Sequence, residues 1–313
     1  MGRRRTPVST EQGPTKPSAP PAIVGLTESF VLLTEFILLS SLLATCVRSA
    51  GFGSGLGAIS AAILSLFLLL SWILYRNWSS YQISFRAYFQ LLGLIPFRIS
   101  SWTISFLAFQ LCSHAVLLWI HDFYGSHAVS WRNLQNALGG LDWTRVVELG
   151  LVAPIREELV FRGVMLLVIH RRLPHDKLSV VLGPSILFSL SHLVNFGSAT
   201  YSLQYVCVQL VVSLLISMFY SVRVISTGSL WDAILLHCVN NILACFVKLS
   251  PDVDLIMEPL LFLPLIQTIV IFSVVLLSTW TSLDVAFDHY TRSRVRVSPS
   301  HDLYQDQDPV TAS

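Results

Sequence analysis

The sequence predicts an all-α, polytopic transmembrane helical bundle of about eight spans with both termini in the cytoplasm, and three observations carry that reading. First, 53% of the 313 residues are hydrophobic and only 12% charged, with a mean hydropathy of +0.65. That charged share is about half the usual value for a soluble domain. Second, eight apolar stretches are long enough, or nearly so, to cross a hydrocarbon core, which takes roughly 20 helical residues. They lie near 23–47, 51–75, 99–120, 146–169, 178–196, 201–222, 228–247 and 259–282. Third, if the N-terminus is cytoplasmic, only Arg48, Arg132, Arg145 and Lys248 of the 20 Lys and Arg residues face outward. Arg156 and Arg162 fall inside the fourth stretch, and the other 14 face inward, as the positive-inside rule requires.

Residues 1–22 are rich in Pro, Ser, Thr and Arg and read as a disordered basic tail, as does 297–313 at the other end. The opening Met1-Gly2-Arg3-Arg4-Arg5-Thr6 formally fits an acylation pattern, but its arginine triplet reads better as a topology signal. Residues 23–144 hold three helices and their loops, 145–247 a polar-studded core, 248–282 a loop and the last helix, and 283–313 a cytoplasmic tail. Two connecting segments, Asn77 to Phe97 and His121 to Trp143, interleave aromatics with basic residues and suit either an interface or ordinary loops. All five cysteines fall in apolar stretches with no Cys-x-x-Cys pair, which argues against a disulfide framework and a thiolate metal site.

Glu157 and Glu158 stand adjacent inside the fourth stretch. Carboxylates at bilayer depth are costly and mark a functional site by default. Glu158 and Arg162 are spaced i,i+4 and can neutralise each other, whereas Glu157 points about 100° away and is left for chemistry. Phe188 and His192 share one face of the fifth stretch, and His237 and Asn241 share one face of the seventh. Glu157 thus has two imidazoles and one amide as candidate neighbours from two other helices. A single buried histidine, such as His114, reads instead as a packed residue bonded to a carbonyl.

A glutamate in such a site is a usable general base for water, with a histidine to orient it. A second histidine and an asparagine would supply donors to the oxyanion formed when that water attacks a carbonyl. Ser189 and Ser191 lie nearby, but serines in membrane helices usually bond back to a carbonyl. The competing chemistry is zinc held by Glu157, His192 and His237. The His-Glu-x-x-His spacing is absent and no further carboxylate is obviously placed as base, so no cofactor is expected.

Three segments carry a resemblance: Ala153-Pro154-Ile155-Arg156-Glu157-Glu158-Leu159-Val160-Phe161-Arg162-Gly163, then Phe188-Ser189-Leu190-Ser191-His192, then Gly228-Ser229-Leu230-Trp231 leading to His237-Cys238-Val239-Asn240-Asn241. In this order they resemble the CAAX protease and bacteriocin-processing family of intramembrane endopeptidases, which includes the type II CAAX prenyl endopeptidases. The resemblance covers residues 145 to 247. It implies an eight-helix protease with its cavity open towards the cytoplasm. Glu157 and His192 would activate water, His237 and Asn241 would stabilise the oxyanion, and Glu158, Arg162 and Phe188 would support the site. The implied reaction removes the last three residues of a prenylated CAAX protein. His192-Leu193-Val194-Asn195 lacks the further histidines typical of eukaryotic members and looks closer to bacterial-type members, whose substrates are often unprenylated.

Glu28 and Glu35, seven apart in the first stretch, line either the same cavity or a helix interface, and Asp232 reads as a helix-terminal carboxylate rather than a catalyst. Arg156 is a counter-charge for Glu157 or for another carboxylate. The expected partners are a prenylated or other membrane-associated protein and the bilayer, with no nucleic acid and no nucleotide. The host membrane would be the endoplasmic reticulum in a eukaryote or the cell membrane in a bacterium. A membrane scaffold or transporter is the reading from another class, although no internal repeat supports it.

Overall fold

The computed structural model describes residues 21–49, 55–126, 129–136, 139–196, 202–247, 260 and 262–295. Of the two expected tails, 1–20 and 296–313 fall outside these residues, whereas Pro21 and Ala22 open the first helix and Leu283–Val295 form the last one. The described chain is helical throughout, with only isolated bridges at Val129–Val247 and Gln135–Leu141. In chain order the helices are α1 (Pro21–Ser49), α2 (Gly55–Ser79), α3 (Phe85–Leu91), α4 (Ser101–Phe123) and α5 (residues 143–172). They continue with α6 (Lys177–Ser191), α7 (Leu203–Thr227), α8 (Leu230–Ala244), α9 (Phe262–Trp280) and α10 (Leu283–Val295).

Polar caps define several of these boundaries. The side chains of Ser100, Asp142, Asp176 and Ser202 each accept a backbone N–H from the first turn of the helix that follows. Gly228 closes α7 at φ +67°, a left-handed cap suited to glycine. It also starts the turn into α8, where Leu230 N donates to Gly93 O at 2.9 Å.

Among the described residues, six helices are long and apolar enough to cross a membrane: Pro21–Leu43, Ile59–Ser79, Ser101–Phe123, Lys177–Asn195, Leu203–Thr227 and Phe262–Trp280. Large apolar side chains point outward along them, as a lipid-facing exterior requires, Phe67 at 68% and Leu277 at 69% exposure among them. The protein is a helical, polytopic membrane bundle. The other two expected spans, 146–169 and 228–247, carry the carboxylate pair and His237 and are largely buried inside the bundle. Every residue from 160 to 170 in α5 is buried. α8 has 15 residues, about 22 Å of helix, and is short for a core of about 30 Å.

The segment 77–97 is not a surface strip. Tyr88, Leu91 and Leu92 are buried against Val160, Phe161 and Val164 of α5, and Gly93 approaches the turn before α8 so closely that a Cβ there would lie 2.6 Å from Gly228 O. On the other side, 129–147 is tied to the end of α8: Asn133 Nδ2 donates to Phe246 O at 2.7 Å, and Arg145 Nη1 donates to Asn133 O at 2.9 Å.

Glu28 and Glu35 resolve to helix interfaces, since Glu28 pairs with Arg172 and Glu35 with Arg76. Lys177 pairs with Asp284, and Arg294 Nη1 donates to Gln90 O at 2.6 Å. These contacts gather Arg76, Arg171, Arg172, Lys177 and Arg294 at one end of the bundle, while Arg132 and Arg145 lie at the other. Asp232 is in the first turn of α8, but Ser229 caps that helix. The Asp232 carboxylate accepts Ser100 N at 2.8 Å and lies 3.5 Å from Arg223 Nη2, pinning α4, α7 and α8 together.

Candidate active site

α5 holds the carboxylate pair and is not a uniform helix. Its α-helical parts, Trp143–Val147, Ala153–Glu158 and Leu166–Arg172, are joined by π-helical turns at Glu148–Val152 and Leu159–Met165. Such turns take an extra residue per turn and occur often at functional sites. Here one lies on each side of Glu157 and Glu158.

Glu158 and Arg162 form the expected i,i+4 pair, Arg162 Nη1 donating to Glu158 Oε1 at 2.9 Å with both side chains fully buried. The Arg162 guanidinium also lies over two rings, 4.4 Å from the Phe188 centroid and 5.6 Å from that of Tyr220. Aromatic faces are the usual apolar partners of a desolvated cation. Phe188 therefore supports the site by covering Arg162, and its ring also meets His192 and His237 at centroid distances of 4.9 and 5.8 Å.

His237, from the middle of α8, reaches both carboxylates. Its Nδ1 lies 2.7 Å from Glu158 Oε1 and its Nε2 lies 3.7 Å from Glu157 Oε2. An ionised carboxylate only accepts, so the short contact places the proton on Nδ1 and turns Nε2 towards Glu157. His192, at the end of α6, has Nδ1 3.0 Å from Phe188 O. A carbonyl also only accepts, so this ring too is protonated on Nδ1 and keeps Nε2 for other partners.

Glu157 differs from its neighbour in being open. Its side chain is 21% exposed against 0% for Glu158. Arg156 Nη2 stands 4.0 Å from its Oε1, while the Arg156 guanidinium lies 5.7 Å from the Phe36 ring of α1. Arg156 also acts electrostatically on Glu148, a carboxylate that the sequence pattern did not single out. Glu148 and Arg156 are eight positions apart, and the π turn between them supplies about one residue beyond the usual two turns, bringing them towards one face.

Asn241 lies beyond His237 on α8 and donates Nδ2–H to Leu149 O at 3.0 Å, inside the first π turn. One of its two amide hydrogens is thus used to hold α8 against α5. Ser189 and Ser191 donate to the carbonyls of Leu210 and Phe188 at 2.7 and 2.6 Å, consistent with structural rather than nucleophilic serines. Among the described residues no three His, Cys, Asp or Glu side chains are grouped as a metal-ion cluster. Of the cysteines, Cys112, Cys207, Cys238 and Cys245 are free, and Cys46 has its side chain outside the described residues.

Tyr220 of α7 is the other participant that sequence reasoning missed. Its fully buried ring packs 5.6 Å from the His237 centroid and closes the far side of Arg162. Nothing in its apolar surroundings distinguishes it from a core tyrosine.

Fold and site together define a helical membrane protein with a buried carboxylate–imidazole centre. The model of a family described as type II CAAX prenyl endopeptidase Rce1-like matches residues 139–243, about a third of the chain, including every residue of that centre. The resemblance read from the three motifs is therefore supported at family level: this stretch is similar to a CAAX-type protease domain. No curated protein and no solved structure matches the chain.

Proposed function

We propose that this protein is an intramembrane endopeptidase that removes the C-terminal tripeptide of a prenylated CAAX protein by direct attack of water, without a metal or a covalent intermediate. The observation that carries the proposal is the contrast within the carboxylate pair: Glu158 is sealed against Arg162 and His237, while Glu157 is open and faces the imidazole edge. Water held by Glu157 and His192 Nε2 would lose a proton to Glu157 as it attacks the scissile carbonyl. With a proton on both nitrogens, His237 would donate Nε2–H to the resulting oxyanion, assisted by the second amide hydrogen of Asn241. Glu157 and Glu158 would then be balanced by Arg162 and His237, the neutral combination a low-dielectric site favours. Collapse of the tetrahedral intermediate would pass the Glu157 proton to the leaving amine.

A lipid-anchored substrate is delivered along the bilayer, which suits a site among membrane helices. The cationic end of the bundle is proposed to face the cytoplasm, on the charge bias of the sequence.

The test is cleavage of a farnesylated CAAX peptide and an unprenylated control by purified protein in lipid, with Glu157→Gln, His192→Ala and His237→Ala variants. Prenyl-dependent tripeptide release abolished by all three changes is the expected result. Equal cleavage of both peptides would move the substrate class to unprenylated membrane proteins. No cleavage by folded wild-type protein would leave a non-CAAX substrate or a non-proteolytic scaffold or transporter.

A further inference from the structure

The rings of Phe188 and Tyr220 meet the same two groups. Arg162 Cζ lies 4.4 Å from the Phe188 centroid and 5.6 Å from that of Tyr220, and the His237 imidazole lies 5.8 and 5.6 Å from the same two rings. Arg162 and His237 are also the two donors to Glu158 Oε1. One carboxylate oxygen from α5 and two rings, from α6 and α7, therefore hold the guanidinium and the imidazole together.

The placing of the two rings follows from contacts between α6 and α7. Ser189 Oγ–H donates to Leu210 O at 2.7 Å, and Ser185 Oγ lies 3.4 Å from Ser221 Oγ, with Ser185 and Ser221 fully buried. Phe188 stands between Ser185 and Ser189 in sequence, and Tyr220 stands next to Ser221. Small hydroxyl residues let membrane helices approach closely and bond across the contact. α6 and α7 thus present Phe188 and Tyr220 together to the site.

The tyrosine hydroxyl does not explain its place here. Oη is buried and has no hydrogen-bond partner among the described residues, and a buried hydroxyl left unpaired costs free energy. The ring does explain it. Its face suits a desolvated guanidinium, and its bulk, inclined at 41° to the His237 plane, stops the imidazole turning about χ2 away from Glu158.

We propose that Tyr220 is a positioning residue of the candidate active site, acting through its ring to keep His237 Nδ1 on Glu158 and Nε2 towards Glu157. Tyr220 is fully buried, so its influence on substrate passes through the imidazole. For its chemistry this inference rests on the peptidase reading; for its geometry it does not. Another aromatic ring is tolerated at this position, whereas loss of the ring lowers turnover and leaves substrate binding intact.

The test compares full-length wild type with Tyr220→Phe, Tyr220→Leu and Tyr220→Met in one detergent, by tripeptide release from a farnesylated CAAX peptide and by proton NMR without substrate. A charge-assisted imidazole N–H on a carboxylate is short, and its proton resonates far downfield of the backbone amides. His237→Gln, which lacks that proton, assigns the signal. Tyr220→Phe is expected to keep the signal and to hold kcat within about twofold of wild type. The Leu and Met variants, which keep apolar bulk without a ring, should lose or broaden the signal and lower kcat by about tenfold to a hundredfold at unchanged KM, the scale of a misplaced catalytic group. A purely structural role would reduce the yield of folded protein and leave both readouts of the folded molecules unchanged.

Folded Leu or Met protein with the wild-type signal and kcat overturns the proposal. Loss of either in folded Tyr220→Phe protein also overturns it, moving the role to the hydroxyl, and this arm decides alone if neither ringless variant folds. Absence of the downfield signal from folded wild type removes the held imidazole and the proposal with it. If wild type shows the signal but cleaves no CAAX peptide, the peptidase reading fails, and the NMR comparison still decides for or against Tyr220.

Discussion

One oxygen, Oε1 of Glu158, receives both Nδ1–H of His237 at 2.7 Å and Nη1–H of Arg162 at 2.9 Å. The buried carboxylate thereby holds Nδ1–H of His237 and aims Nε2 at Glu157. It does so from inside the bundle, where exchange for water is blocked. Glu158 is accordingly a positioning residue, and its influence on chemistry passes through the imidazole.

Glu158→Gln is expected to cost several kcal/mol, because it leaves Arg162 as an uncompensated buried cation, for which roughly 3–5 kcal/mol is typical. Glu158→Gln combined with Arg162→Gln should cost less than the two single changes summed, since it removes both charges together. Chemical denaturation of the four proteins in one detergent measures the coupling. Strict additivity would show that the pair contributes no mutual stabilisation.

How much of this site could be read beforehand depends on how its contacts are encoded. The Glu158–Arg162 pair is a within-helix spacing, and the sequence displays it directly. His192 and His237 were legible because polar residues stand out in apolar stretches, and Phe188 because it lies one turn before His192 on the same face. Glu148 was hidden: the π turn shifts it relative to Arg156 by about one residue, and ordinary helical periodicity does not find that register. Tyr220 was hidden for a different reason, since only the tertiary packing of α7 on α8 brings its ring to His237. The span pattern was legible for six helices, whereas the apolar stretch 228–247 concealed a helix of 15 residues that begins only after the Gly228 turn.

Gly150, in the first π turn, packs directly against Ile242 of α8. A Cβ there would lie 2.7 Å from Ile242 Cγ1, closer than real Cβ contacts come. Gly150→Ala should push α8 outward and strain the neighbouring bond from Asn241 to Leu149 O. The expected outcome is reduced turnover with a loss of about 1–3 kcal/mol in stability, the usual range for overpacking. Adding Ile242→Ala should restore much of both. If the single variant matches wild type in activity and unfolding, the close approach is not a constraint.

Asp176, in the loop before α6, caps that helix through Ser179 N at 3.0 Å and takes the Ser179 hydroxyl at 2.6 Å. The hydroxyl bond, then the backbone bond, hold its carboxyl below the usual aspartate range. Asp176→Ala should cost about 1 kcal/mol at neutral pH, the typical value of an N-cap. Because the folded-state pKa is depressed, this contribution is fully present above the unfolded value of about 3.9 and is lost as pH falls through the folded one. The difference between wild type and variant should therefore shrink only in acid. Unfolding midpoints measured at pH 7 and pH 3 check this, and a difference that grows on acidification has the wrong sign.

Two expectations about the membrane pull in opposite directions, and the bundle makes the conflict measurable. Charge bias places the end with Arg76 and Arg171 in the cytoplasm, while the family resemblance implies a catalytic cavity open to the same compartment. Yet Asn241 and Glu148 lie beyond Glu157 towards the opposite end, where Arg145 and Asn133 join Phe246. Exposed positions at the two ends, Ser79 and Arg132, can be replaced by cysteine one at a time after exposed Cys112 and Cys207 are changed to alanine. Impermeant maleimide should label Ser79→Cys from the cytoplasmic side and Arg132→Cys from the other. The same reagent tried on Glu157→Cys then reports the route of water: labelling from the Arg132 side would mean that the cavity opens away from the cationic end. Labelling together with Ser79→Cys would instead require a path between α1 and α5, past Arg156 and Phe36.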